Sequence, residues 1–363
     1  MKMRSVLIKP ASSLCNMSCK YCFYCDVSQH RENFSFGIME EDVMHELIVK
    51  ALYDCECINF IFQGGEPTLA GYPYFENFVK YVDKTKQKNQ KVSYYLQTNG
   101  YRIDEKLIQL FKKYNFLIGV SLDGYEEIHD KYRPAPFEST FQKVMKTIEQ
   151  LKKYKIEFNI LTVLTKEVSK HASQIYQFYK QNHFTHIQLI PCLPELNSSP
   201  QKDRYALLPK QFSMFYNQLF KLWYVDYQKG KAPSIYFFDN IIPMFKEIPP
   251  QLCGMLGFCQ VQFVVESNGN VYPCDFYCTD KYCLGNIKNY NFKELSASVI
   301  AKEFLNENRR ESPKCKTCEF LSMCHGNCKR LNVAYFDDKG YCGLQDFLRT
   351  NLKDIQTIAS HFS

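Results

Sequence analysis

Six short β-type runs alternate with helix-type segments through the first half of the chain, and this alternation is the feature that most limits its fold. The runs are Ser5–Lys9, Cys57–Phe62, Val92–Gln97, Phe116–Ser121, Glu157–Val163 and Thr185–Ile190. The clearest helical face between them is Phe141, Val144, Met145, Ile148 and Leu151, which places Met145 in the core and not among ligands. Alternating strand and helix imply a parallel sheet with right-handed crossovers. Six units, short of the eight of a closed barrel, predict an α/β fold built as a partial (β/α)6 barrel.

Such barrels place their chemistry at the C-terminal ends of the strands. The unusual residues of this sequence fall there. Gly64-Gly65-Glu66-Pro67 follows the second run, Gln97-Thr98-Asn99-Gly100 ends the third, Ser121-Leu122-Asp123-Gly124 ends the fourth, and Pro191-Cys192-Leu193 follows the sixth. After about residue 230 the alternation stops, and cysteines, glycines and hairpin signals take over. Phe263–Glu266, Ser267-Asn268-Gly269 and Asn270–Tyr272 read as a hairpin around an Asn-Gly turn. A helix over Pro209–Tyr227 bridges to this second module, so the boundary falls within 205–250 and is drawn as 1–230 and 231–363.

Hydrophobic residues make up 45% of the chain, enough for a core without covalent staples. The net charge of +7 resides in solvated clusters such as Lys84, Lys86 and Lys88 or Lys152, Lys153 and Lys155, without the interleaved aromatics of a nucleic-acid surface. Neither a signal peptide nor a run of 18 apolar residues is present, so a cytoplasmic protein that engages neither membrane nor nucleic acid is expected. In a reducing compartment, 17 patterned cysteines point to metal and not to disulfides.

Cys15-x3-Cys19-x2-Cys22 lies in the loop after the first run. Three thiolates satisfy three irons of a cubane and leave the fourth open to a ligand, whereas ferredoxin-type sites close the cluster with a fourth cysteine. Structural zinc wants four ligands in paired knuckles, which this spacing does not offer. A second group is larger: Cys253, Cys259 and Cys274 precede Cys315-x2-Cys318-x5-Cys324-x3-Cys328, with Cys342 beyond. Its eight cysteines are enough for two further cubanes. Zinc is the competing reading for the Cys-x2-Cys knuckle, and the open loop in the same chain favours iron. Cys25, Cys55, Cys57, Cys192, Cys278 and Cys283 receive no role, and Cys55, Cys57 and Cys192 are expected to be small core residues.

The first loop, with Tyr21 before its last cysteine and Gly64-Gly65-Glu66-Pro67 downstream, resembles the radical S-adenosylmethionine (SAM) superfamily. The second group resembles the SPASM extension of that superfamily. A longer resemblance, to anaerobic sulfatase-maturating enzymes, runs through Leu7–Ser13 with Cys15-Asn16, Tyr21–Tyr24, Phe62–Gly71, Leu96–Gly100, Gln262–Ser267 and Val271–Tyr277. It implies a radical SAM barrel followed by a SPASM domain, three 4Fe–4S clusters and SAM as cofactors, and oxidation of a Cys or Ser in a Cys/Ser-x-Pro-x-Arg segment of a nascent sulfatase to Cα-formylglycine. An electron donor such as ferredoxin or flavodoxin is implied as a partner. By the same resemblance Cys253, Cys259, Cys274 and Cys328 would hold the nearer auxiliary cluster and Cys315, Cys318, Cys324 and Cys342 the farther one. Tyr21, Gly65, Ser121, Arg133 and Leu193 would contact SAM, and Asp275, next to a cluster ligand, would be the base. Tyr24 and Gln63 would face the peptide. Met255–Phe258, Val261 and the additional Cys278 and Cys283 depart from the family pattern.

Two other readings compete. A SPASM maturase forming a thioether or an epimer on a ribosomal peptide needs the same clusters, but usually carries an N-terminal leader-binding domain, which is not expected before a cysteine loop that begins at residue 15. A non-catalytic electron carrier or zinc scaffold would need neither an open three-cysteine site nor a glycine-rich cofactor loop.

Overall fold

The computed structural model describes residues 2–136 and 138–362. The alternation predicted from sequence is present as β1 (Met3–Ile8), β2 (Cys57–Phe62), β3 (Lys91–Thr98), β4 (Leu117–Ser121), β5 (Phe158–Leu164) and β6 (His186–Pro191). The chain packs as two units that interleave in sequence, one from 1–121, 133–158 and 260–307, the other from 122–132, 159–259 and 308–363.

In the first unit β1, β2, β3 and β4 pair in parallel, in that order. The strand Val264–Val265 adds in parallel to the free side of β1 and turns back as Asn270–Tyr272. Along β2, Ile58, Phe60 and Phe62 are fully buried while Cys57, Asn59 and Ile61 are only partly so. This two-residue period is that of a strand with one face under helices and the other toward an open interior. The helix-side face is aromatic: Phe62 meets Phe75 and Phe78 edge-on, and Phe75 meets Phe111 in the same way. Such pairs add to the burial of their area. The same period puts Gln63, just beyond β2, on the face of Asn59 and Ile61.

The second unit pairs β5 with β6 in parallel and adds Ser234–Ile235 to β6. Its core lies between two long helices, Pro209–Tyr227 and Gly343–Ala359. Phe212, Tyr216, Phe220, Phe237, Phe238 and Phe347 pack there ring against ring. The first of these helices has the bounds expected from sequence, with Pro209 at its first position, where a missing N–H costs nothing.

Three details differ from expectation. Met145 is only half-buried, and Thr147, donating to Gly100 O at 2.7 Å, takes a buried place on that helix instead. Cys57 is also half-buried, although Cys55 and Cys192 are core residues as expected. The hairpin begins at Val264 and not at Phe263, because Phe263 has φ +51°, outside the extended region. The two lysine clusters are exposed, and no helix among the described residues is long and apolar enough to cross a membrane.

A Cβ placed on Gly343 would lie 2.1 Å from Pro209 O, so glycine sets how closely the two long helices meet. Gly343→Ala is expected to lower stability by about 1–3 kcal/mol, as overpacking does. A fall in the thermal unfolding midpoint would measure this.

Candidate active site

The four parallel strands of the first unit deliver their C-terminal loops to one side, and two of these loops are locked together. Beyond β1, Ser12 N donates to Lys9 O and Leu14 N to Ala11 O, which winds the chain into the loop bearing Cys15, Cys19 and Cys22. Glu66 N donates to Leu14 O at 2.7 Å, pinning the loop after β2 onto it. Gly65, with φ +52°, allows this approach: a Cβ there would lie 2.4 Å from Leu14 O and 2.8 Å from Ser12 O.

Glu66 ties in a third strand. Its buried carboxylate accepts from Thr68 N, Thr68 Oγ1, Thr98 Oγ1 and Asn99 N at 2.6–3.0 Å. Burial raises its pKa against these four hydrogen bonds, which favour the charged form. Asn99, thus placed, points Nδ2 at Cys15 Sγ at 3.6 Å and Asn16 Oδ1 at 2.8 Å. Arg133 is buried, with Nη1 3.8 Å from Cys19 Sγ and its guanidinium 5.4 Å from the Tyr21 ring. Polar donors on the sulfurs of Cys15 and Cys19 suit thiolate ligands to iron. Of the residues expected to contact SAM, Tyr21, Gly65 and Arg133 therefore border the cysteine loop. Ser121 is half-buried at the end of β4, and Leu193 follows β6 in the second unit.

A buried charge cluster lies beside this loop in the same unit. Asp275 is held at both oxygens. Oδ1 is 3.2 Å from Lys9 Nζ, while Oδ2 accepts from Tyr24 Oη at 2.7 Å and from Gln63 Nε2 at 3.2 Å. Lys9 Nζ is also 3.7 Å from Glu266 Oε1, which Arg31 Nη1 contacts at 2.7 Å. Burial disfavours the Lys9 charge, but coupling to the Cys278 thiol and to the carboxylates of Asp275 and Glu266 outweighs it and raises the lysine pKa. Burial raises Tyr24 well above its usual value, with Asp275 adding to the shift, so it remains a neutral donor. The Cys278 thiol, fully buried, is pushed up to about 12, chiefly by burial.

Sequence reasoning placed Asp275 in the site and Tyr24 and Gln63 toward a peptide, and in the structure both donate to Asp275. It missed Lys9, Glu266 and Arg31. The available signal was a lysine directly after an apolar strand, where a solvated residue is out of place.

The second unit gathers seven of the eight cysteines expected to hold auxiliary clusters. Cys315, Cys318, Cys324 and Cys342, the four assigned to the farther auxiliary cluster, line one cavity with Phe320, Phe336 and Leu348. Gln345 Nε2 donates to Cys318 Sγ at 3.3 Å and to Glu319 Oε2 at 2.9 Å, and Gln345 N donates to Cys342 Sγ at 3.4 Å. Arg349 in turn grips Glu319 and holds its carboxyl at about 2. Four thiols in an apolar pocket with N–H donors on their sulfurs fit an iron–sulfur cluster. Burial raises Cys324 to about 11, so iron binding there must displace protons. Cys253, Cys259 and Cys328 also belong to this unit, and a Cβ on Gly254 would lie 3.8 Å from Cys328 Cβ. Cys274 belongs to the first unit.

An open three-cysteine loop on a parallel α/β scaffold, followed by a cysteine-rich region, defines a radical SAM enzyme of the SPASM type. Accordingly, residues 10–179 match the Radical SAM superfamily and residues 257–319 the SPASM iron–sulfur cluster-binding domain. The chain is 41% identical to a cysteine-type anaerobic sulfatase-maturating enzyme of Clostridium novyi, over 99% of this chain and 98% of that protein. It is 42% identical to a cysteine-type enzyme of Clostridium perfringens over 90% and 89% of the two chains. To a serine-type enzyme of Bacteroides thetaiotaomicron it is 27% identical over 90% and 82%. The solved structure of native anSMEcpe with bound AdoMet and Cp18Cys peptide superposes with a TM-score of 0.92 at 37% identity, over 99% of this chain and 100% of that one. The chain belongs to the anaerobic sulfatase-maturating enzyme family, and its fold is the radical SAM partial barrel with a C-terminal cysteine-rich SPASM region.

Gly65→Ala drives a side chain into the carbonyls of Leu14 and Ser12. It is expected to displace the Cys15–Cys22 loop and to lower the iron content below that of the unsubstituted enzyme. Iron and sulfide analysis after anaerobic reconstitution checks this.

Proposed function

We propose that this enzyme oxidises the cysteine of a Cys-x-Pro-x-Arg segment in an unfolded sulfatase chain to Cα-formylglycine, with Asp275 as the base. The observation that carries the reading is the geometry of Asp275. Its carboxylate is buried and held at both oxygens, and it follows a cysteine, Cys274, that we assign to an auxiliary cluster. The preference for cysteine over serine follows the relatives, since the two cysteine-type enzymes are 41% and 42% identical and the serine-type enzyme 27%.

We assign Cys15, Cys19 and Cys22 to the SAM-binding cluster. Cys253, Cys259, Cys274 and Cys328 go to one auxiliary cluster, and Cys315, Cys318, Cys324 and Cys342 to the other. Tyr21, Gly65, Ser121, Arg133 and Leu193 line the SAM site. When bound, these cofactors supply a 5′-deoxyadenosyl radical to take the β-hydrogen and a centre to receive the second electron. The chain's own task is the remaining proton. Asp275 accepts it from the substrate thiol as the carbon–sulfur double bond forms. Water then adds to that carbon and the sulfur leaves as hydrogen sulfide, which gives the aldehyde. Lysine and phenol on its two oxygens leave Asp275 few orientations in which to meet the substrate. The cysteine load supports the reading that the enzyme works in the cytosol, where a ferredoxin- or flavodoxin-like protein would reduce it and an unfolded sulfatase would be accessible.

Anaerobic incubation of the reconstituted enzyme with SAM, a reductant and paired Cys- and Ser-x-Pro-x-Arg peptides tests the reading by mass spectrometry. The Cys peptide is expected to gain the aldehyde faster than the Ser peptide. Asp275→Asn is expected to release 5′-deoxyadenosine while formylglycine formation falls about 100-fold or more, and Cys15→Ala to release none. Ordinary aldehyde yield from Asp275→Asn would remove it as the base. Release of 5′-deoxyadenosine with both peptides unchanged would move the assignment to a peptide maturase.

A further inference from the structure

The first unit holds a buried lysine for which the reaction scheme has no use. Lys9 is 3% exposed, and a lysine is sequestered in this way only when its charge is matched. Its backbone N–H donates to Val265 O at 2.9 Å, anchoring it to the strand that Glu266 directly follows. Its methylenes then cross Gly64: a Cβ there would lie 2.6 Å from Lys9 Cγ, 2.8 Å from Cδ and 3.0 Å from Cε. Beyond the crossing, Nζ sits 4.9 Å from the Tyr24 ring centre and meets Asp275 and Glu266. Arg31 binds Glu266 from the other direction and is itself tied to Ser28 Oγ at 2.7 Å and Phe34 O at 3.2 Å.

We infer that Lys9 is the positioning residue of Asp275, and that position 64 is glycine because the lysine must pass over it. The two glycines of the loop after β2 then have separate tasks. Gly65 admits the carbonyls of the cysteine loop and serves cofactor binding. Gly64 admits the Lys9 stem and serves the base. Glu266 and Arg31 complete the arrangement, Glu266 sharing the ammonium and Arg31 fixing Glu266, so that Nζ approaches Asp275 from one direction only. With Oδ1 on Lys9, the Oδ2 edge is presented to Tyr24 and Gln63 in one orientation.

This inference rests on the reading of Asp275 as the base, and its test separates the two. The measured quantity is formylglycine formed per 5′-deoxyadenosine released, together with iron content and peptide KM. Lys9→Met is expected to hold its iron and cleave SAM, with that ratio falling about 100-fold, the loss that a misplacement of about 1 Å produces, at unchanged KM. Gly64→Ala is expected to show the same uncoupling with full iron content, in contrast to Gly65→Ala, which loses iron. A wild-type ratio in Lys9→Met overturns the inference. If Lys9→Met does not fold, Gly64→Ala decides: a wild-type ratio, or iron loss like that of Gly65→Ala, overturns it. Asp275→Asn runs alongside. If it remains coupled, the base reading fails; if it is uncoupled while Lys9→Met is not, only the role of Lys9 fails.

Discussion

Parallel pairing of β1 with β2 is the constraint on which the reactive part of the first unit depends. The register runs from Met3 opposite Cys57 to Ile8 opposite Phe62, so both strands end level and their next residues, Lys9 and Gln63, leave the sheet side by side. Two loops starting from one point can coexist only if one of them gives up side-chain volume. The loop after β2 does so at Gly64 and Gly65, both at positive φ. The space released is filled from β1, by a lysine stem at the first glycine and by backbone carbonyls at the second. A β-branched residue at either position would meet both a steric and a conformational barrier. The cysteine loop and the Asp275 cluster are therefore positioned by a single feature of the sheet.

The charge cluster is balanced: two cations, Lys9 and Arg31, face two carboxylates, Glu266 and Asp275. Buried ion pairs are poor sources of stability, since desolvation cancels most of the attraction, yet deleting one partner costs about 3–5 kcal/mol by leaving the other uncompensated. An apolar replacement of the set would serve folding as well. What such a replacement cannot provide is a carboxylate fixed at both oxygens beside a site where a proton must be removed. Glu66 makes a useful contrast. It is buried nearby and, among the described residues, accepts from the neutral donors Thr68, Thr98 and Asn99. That environment suits a fixed crosslink among three loops. The two carboxylates differ in role because their neighbours differ.

Much of this was legible in the sequence, and what was hidden has a common cause. Strand positions could be read because their signal is local: the period of Ile58, Phe60 and Phe62 needs only six residues. The Pro209–Tyr227 helix was similarly legible from its proline start and aromatic stripe. Cysteine spacing singled out Cys315, Cys318, Cys324 and Cys342, which line one cavity, because they come in a tight sequence group. The Val264–Val265 strand was shorter than its apolar run suggested, since Phe263 adopts φ +51°, a backbone choice that no side-chain pattern announces. Lys9 was hidden for a different reason. Its partners Glu266 and Asp275 lie more than 250 residues away, and a lysine seen alone defaults to a solvated surface. Gly64-Gly65 was read as one cofactor motif because the sequence shows two adjacent glycines, whereas what each glycine clears is visible only in three dimensions. Pairing across such distances is set by strand order, here by Val264–Val265 joining the free side of β1. That short strand brings Glu266 beside Lys9, so a two-residue element whose hairpin is legible in the sequence, but whose pairing with β1 is not, decides whether the lysine finds a counter-charge.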